Sequence, residues 1–474
     1  MIVTSLVAIQ INNKSHWPGS PLKTENSVRE KAGSIWQAGV KSADPLRLIN
    51  DQIRCDLQSL QINSRTISLA GIERIYICGA GKAAGCMSEG IEQALTPVAE
   101  SISIQGQVIV PFSAADQSVQ QTSQSQQPPR IKKVVGRDSH VNLPTELAQQ
   151  ATRDTIQAIA ELDEQSLLIM LISGGGSALL TAPIPPITLQ EKNEATKFLA
   201  AQGADIGIIN TVRGAISQVK NGRLLQSSNA RQSVSLILSD VMHLPPSCVA
   251  SGPSFVQANQ SAKALDCLVE LDPQKKYLAE SIYQCLENST DQPAPDSGEQ
   301  HLNVVIGDHV TALTGAEIQA QQLGYQTSTT ILPQAISVNE LAGQISVAIA
   351  NRNNTANPQC LLWVGEPVLQ VDLTADGKGG RAQQLALEVI RKLKTMPDQV
   401  RDFCLLAAGT DGEDGPTDAA GAIVDAACLQ VDLQKLELHL QNNNAYPMLE
   451  SLQGLFKPGI TGTNVCDLYV LLLA

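Results

Sequence analysis

No apolar run in this chain of 474 residues approaches the ~20 residues that a membrane span needs, so a transmembrane helix is not expected. No two of its 10 cysteines stand at C-x-x-C spacing, which argues against a zinc site or a thioredoxin-type motif. Positive charge is in short supply: 33 Lys and Arg stand against 46 Asp and Glu, for a formal net charge of −13. That balance argues against nucleic acid or an anionic membrane as a non-specific partner. Anionic ligands are left to local cations and oriented N–H groups. The Walker-A spacing G-x-x-x-x-G-K-[ST] is missing, which excludes a P-loop. Met1 to Gln10 lacks a basic n-region, so no secretory signal is expected. No acidic residue precedes Glu25 and no arginine precedes Arg29, a faint mitochondrial-type pattern. Cytoplasmic location is expected first and mitochondrial second. Cysteines in apolar runs, such as Cys78, read as buried thiols of a reducing compartment.

The length favours two or more domains over one core. Hydrophobic residues make up 43% and charged residues 17%, the composition of a folded globular chain. The stretch 286–300, rich in Asp, Pro, Ser and Gly, has the composition of a linker. It separates an expected N-terminal domain, 26–290, from a C-terminal domain, 301–474, with an irregular segment, 1–25, before both. Leu302 to Ile306 is expected to open the second domain as a strand. Ser113 to Arg130, rich in Gln and Ser, reads as a surface excursion.

What the chain has in abundance is glycine at the ends of strands. Leu167 to Ile172 is an unbroken apolar run, which reads as a strand buried on both faces. Ser173, Gly174, Gly175, Gly176 and Ser177 follow at once, and Ala178 to Leu180 resumes as helix. Such a turn aims free N–H groups and a positive helix end at one point, a site for phosphate or carboxylate. A second unit of this kind runs from Ile75 into Gly79-Ala80-Gly81-Lys82. It matches G-x-G-x-x-A, but the next strand, Ser103 to Val110, ends without an acid to hold a ribose. Lys82 stands in a first helical turn, where a cation opposes the helix dipole unless an anion lies beside it.

From Asn26 to Leu60 apolar residues recur at helical steps, with Asp44 as a cap and Pro45 at a first helical position. Thr145 and Thr188 open further helices, the latter as a capping box with Glu191. Beyond Asn210, the cations Arg213, Lys220 and Arg223 cluster in an otherwise acidic chain. Ser235 to Leu238 is a buried strand that delivers Asp240 to a sheet's C-terminal end, where open α/β sheets bind ligands. Cys360–Val364, Val368–Leu373 and Phe403–Ala408 are expected strands. The last runs into an acidic loop carrying Thr410, Asp411, Glu413, Asp414 and Asp418, which suits hydrated Mg²⁺ or ligand hydroxyls. Asp240 or Asp411 is the expected metal ligand. A last glycine–threonine loop carries Thr463 and Asn464 into the final strand, Leu468–Leu473.

Seven stretches together resemble the glycerate kinase family, the glycerate 2-kinase type with a MOFRL C-terminal domain. They are Gly79–Ala83, Leu171–Leu180, Leu236–Asp240, Ala250–Pro253, Gly377–Arg381, Gly409–Thr417 and Thr461–Asn464. Their order and spacing span nearly the whole chain and are similar to those of the animal members. The resemblance implies two α/β domains, a Rossmann-like N-terminal one and a smaller MOFRL-type one, with the active site in the cleft between them. It implies ATP-dependent phosphorylation of D-glycerate, with 2-phosphoglycerate favoured over 3-phosphoglycerate and Mg²⁺ accompanying the nucleotide. The residues matched by Lys82 and Arg381 are thought catalytic in the family. Gly379 and Gly380, with the loop residues named above, follow as nucleotide or substrate contacts. No nucleic-acid or membrane partner is implied, and a homodimer is admitted. Four stretches depart from the family pattern. His243-Leu244 replaces Gly-Asp, and Gly214 replaces a lysine. Ala382-Gln383-Gln384 replaces Asn-Gln-Glu, and Asn443-Asn444-Ala445 replaces Asn-Asp-Ser. Each change removes a polar or charged group from a site loop. A protein that binds nucleotide or hydroxy acid without turnover is therefore the competing expectation, and a dinucleotide oxidoreductase a third.

Overall fold

The computed structural model describes residues 27–112, 129–138, 143–289, 300–351, 357–371, 377–396 and 402–473. The irregular segment 1–25, most of the Ser113–Arg130 excursion and most of the 286–300 linker lie outside the described residues.

A small antiparallel sheet joins β1 (Ile53–Cys55), β2 (Ser59–Ile62) and β3 (Arg65–Ser68). The helical pattern predicted to Leu60 thus stops at Gln52. Ile53, Leu60 and Ile62 are buried on one face of this sheet, and period-two packing overrides the helical spacing there. Asp44 caps the second helix as expected, accepting from Arg47 N–H.

The main parallel sheet holds β4 (Arg74–Ala80), β5 (Ser103–Phe112), β6 (Ile131–Asp138), β7 (Ser166–Ser173), β8 (Gln232–Leu238) and β9 (His301–Gly307). Their order is β6-β5-β4-β7-β8-β9, and every pairing is parallel. This is the doubly wound arrangement, with its topological switch between β4 and β7. Every residue of β7 is buried, as its apolar run requires. The strand expected to open a second domain is β9, and it instead pairs with β8 at the edge of this sheet. Linker composition marked a loop, whereas hydrogen bonding and apolar pairing placed the strand.

The second sheet is mixed. It contains β10 (Gln326–Ile331), β11 (Gln359–Gly365), β12 (Phe403–Gly409), β13 (Gly421–Asp425), β14 (Leu455–Phe456) and β15 (Asp467–Leu473). The order is β10-β11-β15-β12-β13-β14, and only β10 and β11 run parallel. Of the strand predicted at Val368–Leu373, the last two residues lie outside the described residues, and the described part, 368–371, forms a single bridge, Val368 with Ser337. Val368 and Val371 stay exposed, so no face exists there to bury. One face of the mixed sheet is covered by Val338–Ala350 and Arg381–Lys394, the other by Val28–Ser42 and His309–Gln322. Trp36 of the first helix is buried there and meets Phe456 edge-on, with centroids 5.0 Å apart. Among the described residues no helix is long and apolar enough to cross a membrane.

Candidate active site

The glycine turns that follow β4 and β7 lie side by side at the switch point. Gly81 has φ +141°, and a Cβ there would lie 2.1 Å from Ser173 Oγ. The two turns are stitched together: Lys82 N–H donates to Gly174 O at 2.8 Å, and Ala83 N–H to Ser173 Oγ at 3.0 Å. The N–H groups of the Gly79–Lys82 turn are therefore largely committed to the fold, contrary to the free cradle expected. Gly174, Gly175 and Gly176 keep theirs uncommitted among the described residues. A Cβ on Gly174 would lie 2.1 Å from Asp240 Oδ2 and 2.8 Å from Asn464 Nδ2. Only glycine lets these three loops converge.

Lys82 crosses to the loop after β12. Its Nζ lies 2.6 Å from Asp411 Oδ2 and 3.2 Å from Glu413 Oε2. Burial pulls the ammonium down, but the two carboxylates outweigh it and hold Lys82 above the usual lysine range. Asp240 stands beside this pair. Burial pushes its carboxyl up to about 6, against the pull of Lys82. The Cys466 thiol donates to its backbone carbonyl at 3.1 Å.

Arg381 opens the helix that covers the mixed sheet. Its Nε and Nη2 donate to Asp467 at 2.6 and 3.0 Å, and Nη2 lies 2.9 Å from Glu366 Oε1. Both carboxylates outweigh burial and raise the guanidinium further above its ordinary value. A cavity of about 230 Å³ lies between the sheets' ends, and Asp240, His243, Leu244, Glu366 and Cys466 are among its lining residues. Arg381 reaches this cavity through Glu366, and Lys82 acts through space on Asp240, so the two cations stand behind lining carboxylates, Lys82 on the parallel-sheet side and Arg381 on the other.

The helix end at Arg381 is not open to an outside anion. Asp414 is buried and accepts from Ala382 N–H at 3.1 Å and Gln383 N–H at 2.8 Å. A Cβ on Gly380 would strike its carboxylate, and Gly379 packs on Ala445. Burial, with Asp467 adding, pushes Asp414 up to about 7. A folded pKa above the unfolded ~3.9 means the folded state holds the extra proton between those values. This group's contribution to stability therefore falls as pH rises through that window. Urea denaturation of wild type and Asp414→Asn should show the variant gaining relative stability from about pH 5 to about pH 8. A flat difference would refute the assignment.

The other expected site residues separate into two sets. Thr410 and Thr463 turn into the fold: Thr410 Oγ1 donates to Cys466 O at 2.6 Å, and Thr463 Oγ1 to Ala43 O at 2.7 Å. Asn210 is exposed on its helix. Ser177, Arg213 and Lys220 form a group of their own. Arg213 Nη2 donates to Ser177 Oγ at 2.9 Å, and Lys220 Nζ to the same oxygen at 2.6 Å. Arg223, expected with them, instead donates to the carbonyls of Gly214 and Ala215 and is a scaffold residue. Its place is taken by Lys192, which carried no signal in the sequence. Glu366 and Asp467 were also missed, although an acid opening the apolar run of β15 is a signal in itself.

The replaced positions divide in the same way. His243 and Leu244 line the cavity, and a ring nitrogen of His243 meets Leu332 O at 2.7 Å. Gln383 and Gln384 are buried, with Gln384 Nε2 donating to Leu440 O at 3.0 Å. Asn444 Oδ1 accepts from Lys378 N–H at 3.0 Å. A Cβ on Gly214 would press on Asn221.

A doubly wound sheet whose switch point gathers glycine turns, cations and carboxylates defines an α/β protein built to handle phosphate. The family models agree: residues 31–287 match a domain of unknown function (DUF4147), and 359–467 match the MOFRL family. Human glycerate kinase is 33% identical, over 96% of each chain. The glycerate 2-kinase of Pyrococcus horikoshii is 28% identical over 94% of this chain and 97% of its own. The crystal structure of glycerate kinase from Thermotoga maritima superposes with a TM-score of 0.74 at 26% identity, covering 94% of this chain and 99% of that one. The chain belongs to the glycerate kinase family, and its class is that of the phosphotransferases.

Proposed function

We propose that this protein transfers the γ-phosphoryl group of ATP to a hydroxyl of D-glycerate, with 2-phosphoglycerate as product. The observation that carries it is the pair of cations behind one cavity: Asp240, which lines it, feels Lys82 through space, and Glu366, which also lines it, pairs with Arg381. The 2-position is supported by the name of the P. horikoshii relative. We place the two domains at 43–307 and at 28–42 with 308–473, because the first helix packs on the mixed sheet and β9 pairs with β8.

Phosphoryl transfer asks for positioning and for positive charge around the transferred oxygens. The acceptor oxygen bonds to the γ-phosphorus while the bond to the β–γ bridging oxygen breaks. The hydroxyl proton passes to a cleft carboxylate, and ADP leaves. Lys82 and Arg381 would face the transferred oxygens from opposite sides. The uncommitted N–H groups of Gly174–Gly176 would hold phosphate oxygens.

Asp240 and Asp411 are the residues that would hold Mg²⁺. Asp411 raises the carboxyl of Asp240 through space, so the two carboxylates lie near each other. Among the described residues no cluster of three His, Cys, Asp or Glu could hold a metal unaided. Such a donor set fits Mg²⁺, which keeps waters and phosphate oxygens among its ligands. When bound, it supplies neutralisation of phosphate charge.

The test is coupled ADP release with Mg-ATP and D-glycerate, with phosphorus NMR of the product. Release above a glycerate-free blank and a 2-phosphoglycerate resonance are expected. ADP at blank level would end the proposal, and a 3-phosphoglycerate resonance would move the transfer to the other hydroxyl.

A further inference from the structure

Lys192 and Lys220 are each only 1% exposed, in a chain that carries a net charge of −13. Lys220 Nζ donates to Ser177 Oγ at 2.6 Å, Ser177 O at 3.2 Å and Ser251 Oγ at 3.2 Å. Lys192 Nζ donates to Thr181 Oγ1, and Arg213 shares Ser177 Oγ. Among the described residues none of the three cations forms an ion pair with a carboxylate. Burial and the neighbouring Arg213 push Lys192 down to about 7, and Lys220 also feels both neighbours. Two buried ammonium groups beside a half-buried guanidinium, with hydroxyls and a carbonyl as their partners among the described residues, are costly unless an anion joins them. Ser177 ends the glycine turn whose other end, Gly174, meets Asp240, so the cluster adjoins the cleft.

We propose that Lys192, Arg213 and Lys220 form the pocket for the carboxylate of the acceptor acid, with Ser177 and Ser251 completing it. The cleft cavity itself is lined by Asp240 and Glu366, which repel an acid. Nucleotide phosphates have Lys82, Arg381 and the glycine N–H groups. The acceptor's charged end therefore turns away from the carboxylates and toward the unpaired cations. A guanidinium matches a carboxylate in shape, Lys192 brings a further ammonium donor, and Lys220, whose three N–H groups hold Ser177 and Ser251, adds charge and fixes the two serines. Lys192 is thereby a binding residue, carried on the inner face of the helix Leu189–Ala201. The pocket gives the enzyme its preference for hydroxy acids over neutral polyols, and it rests on the phosphotransferase proposal for its acceptor.

The test uses the full chain with Lys192→Met and Arg213→Lys, and Lys192→Gln as a second variant should the methionine variant not fold. KM for D-glycerate should rise about tenfold to a hundredfold, with KM for Mg-ATP unchanged. Calorimetry without nucleotide should show D-glycerate binding to wild type, weaker binding to each variant, and none of glycerol to either. A rise in the nucleotide KM instead would assign the cluster to phosphate and overturn the proposal. Turnover with an unchanged acid KM would also overturn it while leaving the kinase proposal standing. Cluster-dependent binding of D-glycerate without turnover would sustain the pocket and remove the kinase proposal.

Discussion

Lys82→Met is expected to slow turnover roughly 10²–10³-fold while KM for either substrate changes little. Lys82 sits where the two glycine turns are laced together, but the lacing is backbone, through its N–H and that of Ala83. Its ammonium is spent on Asp411 and Glu413. Those two carboxylates keep some contact with water, so removing the charge should leave them hydrated and the fold intact. The loss then falls on the transition state, where charge spreads over the transferred oxygens. Coupled ADP release, with melting temperature as a control, reads it directly. A folded variant whose turnover stays within about threefold of wild type would remove Lys82 from the chemistry.

Arg381→Ala should do more, because Arg381 also supports structure. Its guanidinium is the cationic partner of Asp467, whose side chain is only 6% exposed at the start of the fully buried β15. Removing it leaves that carboxylate, among the described residues, with the Tyr469 hydroxyl at 3.0 Å as its remaining side-chain donor. The expected cost is about 1–3 kcal/mol of stability. Turnover should fall with it by roughly a hundredfold or more, as for a lost oxyanion donor. The two effects separate in the double variant Arg381→Ala/Asp467→Asn. Neutralising the orphaned acid should recover most of the melting temperature and none of the turnover. Recovery of both would show that Arg381 only positions the loop.

Much of this architecture was legible in the chain. The buried run at Leu167–Ile172 and the strand before Asp240 announced a parallel sheet, and the caps at Asp44, Thr145 and Thr188 stand where expected. What failed did so where distant partners decide. Ile53 was helical by spacing and became a strand because Leu60 and Ile62 return to the same face. β9 joined β8 because pairing, and not the linker before it, sets membership of a sheet. In the site, loops with glycine and charge could be read, since only special backbone and ligand chemistry explain them. The roles inside them could not. Asp414 resembled a ligand group and is a buried cap, Thr410 and Thr463 brace the loops, and Lys192 is an ordinary helix lysine by sequence that the fold turns inward.

The helix Val28–Ser42 has a consequence for how the molecule is made. It is translated before Leu313, Ala316 and Leu468, on which it packs. At about 5–20 residues per second the interval is on the order of tens of seconds. Until then Ile35, Trp36 and Val40 have no native cover. Its own capping box at Ser27 and Glu30 supports the helix end, but a helix of 15 residues alone is marginal in water. Until those partners emerge the nascent chain carries an apolar stripe without its native cover, a natural landing place for a chaperone. The mixed-sheet unit cannot be completed until Leu468, on which this helix packs, has been made.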